Sequence, residues 1–135
     1  MLDGQDRHEI VQKAKVPDAE IYRQHVDGFV GNFVRKEHRD RWREFLLKRP
    51  KQLFSKSSKL HNHLDWDVCA ALKNEEAFVA QTKSGIYFDF YDEPKILSAE
   101  EAFYVGSGND ALFFIEAGNK VVFFFHEYEN YLCQR

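Results

Sequence analysis

The sequence is poor in the residues that interrupt or staple a chain. Its 135 residues hold two cysteines, three prolines and seven glycines. Two cysteines, Cys69 and Cys133, are too few for a disulfide framework or a Cys-rich zinc site, and they read as small core residues. No run of about 18 apolar residues occurs, so no transmembrane helix and no membrane partner is expected. The charged N-terminal stretch MLDGQDRHEIVQKAK has no apolar segment of signal-peptide length, and a cytoplasmic protein is expected. Nor is there a nucleophile with a partnered base or a Gly-rich loop leading into a helix, so no cofactor is expected.

What is abundant is aromatic. Thirteen Phe, six Tyr and two Trp are far too many for a disordered segment. With 44% hydrophobic residues, the chain suits one compact domain of 1–135 with its own core.

Charge is segregated. Residues 1–60 carry fourteen Lys and Arg against nine Asp and Glu, whereas 61–135 carry five against thirteen. The basic excess is concentrated in 35–59, with ten basic and three acidic residues. A helix there would align Arg35, Arg39 and Arg43 at i, i+4 and i+8, with Lys48 and Arg49 at its end. Such a stripe, with Trp42 and Phe45 nearby, suits an acidic partner or nucleic acid. Glu37, Asp40 and Glu44 interleave with it, which also fits a solvated helix face with local ion pairs.

The periodicity places helices first and strands after. Residues 1–16 read as a frayed start or a short helix, and 17–64 as helical. From Pro17, the residues Ala19, Tyr22, Val26, Phe29, Val30 and Phe33 form one apolar stripe, with a break expected at Gly28 and Gly31. A second helix is expected over 35–49 and a third over 51–64; residues 65–76 carry no clear signal. Residues 77–133 read mainly as strands. Ala77–Thr82 and Ile86–Tyr91 form one expected hairpin about Lys83-Ser84-Gly85. Ser98 and Glu101 form a capping box opening a short helix near 99–105, with Gly106 as its stop. A second hairpin, Ala111–Ala117 with Lys120–His126, turns on Gly118-Asn119 and pairs Phe113 with Phe124. A last strand runs over about 129–133. The fold class expected is therefore α+β: N-terminal helices on a mainly antiparallel sheet of four to five strands.

Both faces of the second hairpin are apolar. The surplus face, with Phe114, Phe123 and Phe125, must be covered by the chain's own helices, by a second copy or partner, or by an apolar ligand. A separate signal is His61-Asn62-His63-Leu64-Asp65-Trp66-Asp67. In an extended segment His61, His63, Asp65 and Asp67 point one way, a donor set for a divalent metal; on a helix they divide between two faces. The string is similar to part of the HxHxDH signature of metallo-β-lactamase-like hydrolases, without its final His and in a chain too short for that fold. His126-Glu127 adds an imidazole beside a carboxylate with no nucleophile near it. The expectation is a non-enzymatic protein-interaction or adaptor module, as a homodimer or with a protein partner. The alternatives are a small metal-dependent hydrolase using the His/Asp cluster, and nucleic-acid binding through 35–59.

Overall fold

A computed structural model describes residues 4–48, 62–65, 67–89, 93–125 and 129–135. Among the described residues, five α-helices, α1 (Arg7–Lys13), α2 (Ala19–Phe33), α3 (Arg39–Lys48), α4 (Glu75–Gln81) and α5 (Ala99–Gly106), flank one antiparallel sheet. Its strands are β1 (Cys69–Ala71), β2 (Ser84–Phe88), β3 (Lys95–Ser98), β4 (Ala111–Ile115), β5 (Lys120–Phe124) and β6 (Asn130–Gln134). They lie in the order β1-β6-β5-β4-β2-β3. The class is α+β, with six strands where four to five are expected. No helix among the described residues is long and apolar enough to cross a membrane.

The period-2 alternation of the strands divides the core in two. Leu112, Phe114, Val121 and Phe123 pack with Tyr22, Val26, Phe29, Phe33, Trp42 and Leu46 from α2 and α3. Ala111, Phe113, Val122 and Phe124 pack with Val11 of α1, Phe78 of α4, and Ala102, Phe103 and Val105 of α5. Each face of the sheet therefore has its own helical cover. α1 crosses to the face opposite α2, and Lys15 extends the β3 edge by one bridge to Ile96.

Several elements differ from expectation for local reasons. Residues 75–81 form helix α4, not a strand. Asn74 caps it by accepting from the Ala77 N–H at 3.0 Å, with Glu75 and Glu76 in its first turn. Only Phe78 is buried there, and so short an apolar run carries no decisive period. The partners of β2 are β3 and β4 instead of 77–82. α2 begins after Asp18, whose carboxylate accepts from the Glu20 and Ile21 N–H groups, so Pro17 precedes the cap. It runs unbroken through Gly28 and Gly31. The capping box is as expected: Ser98 Oγ accepts from Glu101 N and Glu101 Oε1 from Ser98 N.

The β4–β5 connection has four residues, 116–119, not two. Ile115 pairs with Lys120, and Phe113 faces Val122, where Phe124 is expected. Glu116, Ala117 and Gly118 all take positive φ in this turn. The shift of two residues leaves every side chain on its expected face. Gly106 is the last helical residue and not a left-handed cap; a Cβ there would meet the Phe124 ring at 2.8 Å.

Candidate functional site

The basic segment does not form one helix. Arg35 is extended (φ −58°, ψ 142°), Lys36–His38 make a 3₁₀ turn, and α3 starts at Arg39. Residues 62–65 return beside this junction. Val34 and Leu64 form an isolated antiparallel bridge. Arg35 N donates to the His63 carbonyl at 2.8 Å, and Asp65 N to that of Phe33 at 2.7 Å. Two arginines clasp the bridge: Arg35 Nε donates to the Leu64 carbonyl at 3.1 Å and Arg39 Nε to that of Val34 at 3.0 Å. The latter satisfies a carbonyl at the end of α2, where the helix leaves acceptors without internal donors.

This pairing sets His63 against α3. The His38 and His63 rings stack, with centroids 3.8 Å apart and planes 7° from parallel. Buried Trp42 donates its Nε1–H to His63 Nδ1 at 3.0 Å. A ring nitrogen that accepts carries no proton, so His63 is neutral with its hydrogen on Nε2. Burial lowers the His63 pKa first. Repulsion from His38, Arg41 and Arg35 lowers it further, against a weaker opposing pull from Glu37, to about 4.

A neutral His63 has a measurable consequence. In the unfolded chain the imidazole takes a proton near its usual 6.5, whereas in the fold it resists until about 4. The unfolded state thus binds the extra proton between these values, and the fold loses stability as pH falls through that window. The full contribution is present above about 6.5. The ring is only partly buried, so solvent screening leaves about 1 kcal/mol. The loss in urea-derived stability between pH 7 and pH 4 should be larger by that amount in the native chain than in His63→Gln. Equal pH dependence of the two would show that His63 does not contribute.

The structure brings some of the singled-out residues together and separates others. Arg35 and Arg39 meet at the bridge. Arg43 instead turns to Asp27 at 3.1 Å and Asp40 at 3.8 Å. Lys48 is exposed at the end of α3, and Arg49 lies outside the described residues. The i, i+4, i+8 stripe therefore does not form, because the chain is extended at Arg35 and Arg43 has acidic neighbours. Trp42, expected beside the basic stripe, and Arg41, part of the basic excess, belong to the site, and His38 joins it without having been singled out for it. The 24 residues between His38 and His63 bear no pattern that foretells their stacking.

The metal donor set is only partly described. His61 lies outside the described residues, as do His126 and Glu127. His63 Nδ1 is engaged by Trp42. Asp65 accepts from Asp67 N at 3.0 Å and faces Arg135 at 3.9 Å, while Asp67 is exposed. Among the described residues, no three His, Cys, Asp or Glu side chains gather to hold a metal ion. Phe114, Phe123 and Phe125 are buried beneath the chain's own helices, where Phe114 meets the rings of Tyr22 and Phe29 edge-on. They offer no surface to a second copy in this fold. Compared with known proteins, the chain matches no family model, no curated protein and no solved structure.

Proposed function

We propose that the protein is a non-enzymatic interaction module that holds an acidic segment of a protein partner against the Arg35–Arg41 face. The observation that carries this reading is the cationic cluster around the His38–His63 stack. Among the described residues, Arg35, Lys36 and Arg39 have no carboxylate at ion-pair distance, while Arg43, one turn further on, has two. The cations that help to suppress protonation of His63 create the potential that attracts an anion. Carboxylates suit this face because the Nε atoms of Arg35 and Arg39 are already committed to backbone carbonyls. That fixes each guanidinium plane in advance and lowers the entropy lost on binding.

The surplus apolar face of β4–β5 no longer supports self-association, since α2 and α3 cover it. The Cys69–Cys133 disulfide supports an oxidising compartment over the cytoplasm expected from the sequence. The test is binding to a fluorescent Glu-rich peptide and to single-stranded oligonucleotide at 50 and 300 mM salt. Peptide binding should weaken with salt and fall at least tenfold in Arg35→Glu/Arg41→Glu. Tighter binding to the oligonucleotide would move the assignment to nucleic acid. Binding to neither would end this reading.

A further inference from the structure

Helix α1 and the extended residues after it form a strap over the β3 edge of the sheet. The strap is self-contained. Asp6 caps α1 by accepting from the His8 N–H at 2.9 Å, and Lys13 pairs with Glu9 at 2.9 Å. Within α1 the buried side chain is Val11, with Ile10 and Ala14 partly buried beside it. A helix of seven residues does not hold its shape alone, and one buried valine offsets little of the entropy lost in ordering the whole strap.

Its ties to the body lie at its two ends. At one, the Tyr104 hydroxyl donates to the Gln5 carbonyl at 2.9 Å, and Arg7 stands 5.0 Å from the centroid of the same ring. At the other, Ile96 N of β3 donates to the Lys15 carbonyl at 2.8 Å, and Lys95 Nζ reaches the Ala14 carbonyl at 3.4 Å. The strap thereby closes a sheet edge, whose backbone groups call for a partner strand.

The junction with the rest of the chain is already straight. Ala14 (φ −71°, ψ 152°) and Asp18 (φ −55°, ψ 137°) are both extended, Val16 precedes a proline, and buried Pro17 anchors the far side. Among the described residues, the exposed large apolar side chains are Val16 (50%), Ile21 (48%) and Ile96 (42%). All three belong to this junction: Val16 follows Lys15, Ile96 is the residue that Lys15 bridges, and Ile21 lies in the first turn of α2. Apolar exposure gathered at one hinge, rather than scattered, marks a contact surface.

We propose that residues 5–16 exchange between two copies of this chain, each strap closing the β3 edge of the other. Exchange keeps every strap contact and changes only which copy supplies it. A released strap leaves the Ile96 N–H and the seat of Val11 uncovered, and the sequence that fits both is the strap's own. An extended hinge needs little rearrangement to carry it across to a neighbour. Two hinges side by side bring Val16 and Ile96 of both copies together, an apolar contact that the monomer lacks. This surface is separate from the basic face, and neither reading depends on the other.

The experiment uses the full chain in 300 mM salt, which screens contacts made through the basic face. Light scattering from about 10 µM to about 1 mM should show a dimer that grows with concentration. It should form faster after brief exposure to moderate urea, because exchange passes through an opened strap. A synthetic peptide of residues 5–16 should bind and convert dimer to monomer, and a scrambled peptide should not. In the monomer, the Ile96 amide should exchange hydrogen through strap opening, before the amides of β4 and β5. Val11→Ala should speed that exchange about tenfold through two lost carbons, and Tyr104→Phe about fivefold through one lost hydrogen bond. Val16→Lys should leave the monomer's melting temperature unchanged and weaken the dimer at least tenfold. A chain that stays monomeric at about 1 mM after the urea step would overturn the proposal. So would a dimer that the 5–16 peptide leaves intact, or an Ile96 amide that exchanges only together with the central strands.

Discussion

Gly28→Ala should destabilise the fold by about 3 kcal/mol, although alanine is the better helix former. A Cβ at residue 28 would stand 2.1 Å from the Ala117 carbonyl oxygen and 3.2 Å from Gly118 Cα. Both are backbone atoms of the β4–β5 turn. The turn cannot withdraw without dragging two central strands, and Gly118 is pressed equally close on the other side. A Cβ at Gly118 would lie 2.2 Å from the His25 carbonyl oxygen and 2.6 Å from Phe29 N. Helix and turn thus touch backbone to backbone, and only two facing glycines permit it. Gly31 is the internal control. It lies in the same helix with nothing within 4 Å of its missing Cβ. Gly31→Ala should therefore stabilise by about 0.5–1 kcal/mol. Urea denaturation of the two single variants should give effects of opposite sign. Equal effects would mean that the turn does not seat on α2 as described.

The same glycines show what a sequence carries and what it withholds. Gly28 and Gly31 have equal helix propensity, so local reasoning weighs them alike and expects a break. The difference between them lies in a turn 89 residues away. Legible features are those whose cause is local. The apolar stripe of α2, the Ser98–Glu101 box and the two faces of β4 and β5 each follow from neighbouring residues. The faces survive even a wrong turn length, because a shift of two residues in pairing preserves the alternation. Where two local readings compete over a short stretch, as in 75–81, the Asn74 cap and tertiary packing of Phe78 decide. The site is less legible than the fold. Its basic residues stand out in the composition, but the Val34–Leu64 bridge brings His38 and His63 together. Such a contact between distant residues leaves no periodic mark.

Cys69 and Cys133 extend that point to covalent structure, and their loss should have the larger effect of the two predictions argued here. As single residues they look like small core side chains, and both are buried. They face each other across β1 and β6 and are joined by a disulfide that closes a loop of 64 residues. Constraining the unfolded chain over that length contributes about 4 kcal/mol in the chain-entropy account. For a domain whose total stability is about 5–15 kcal/mol, this is a large share. Reductant, or Cys69→Ala/Cys133→Ala under oxidising conditions, should lower the urea midpoint by the corresponding amount. The loss should begin at one edge. β1 has three residues and, among the described strands, pairs with β6 alone, so the amides of Ala70 and Ala71 should lose hydrogen-exchange protection before those of β4 and β5. That edge also tethers the site: Leu64, which bridges to Val34 and precedes β1 by only a few residues, carries His63 to the basic face. Reduction should therefore weaken Glu-rich peptide binding at urea concentrations where the central strands remain protected. If peptide affinity and the urea midpoint are both the same with and without the bond, packing alone holds β1, and the disulfide does not anchor the site.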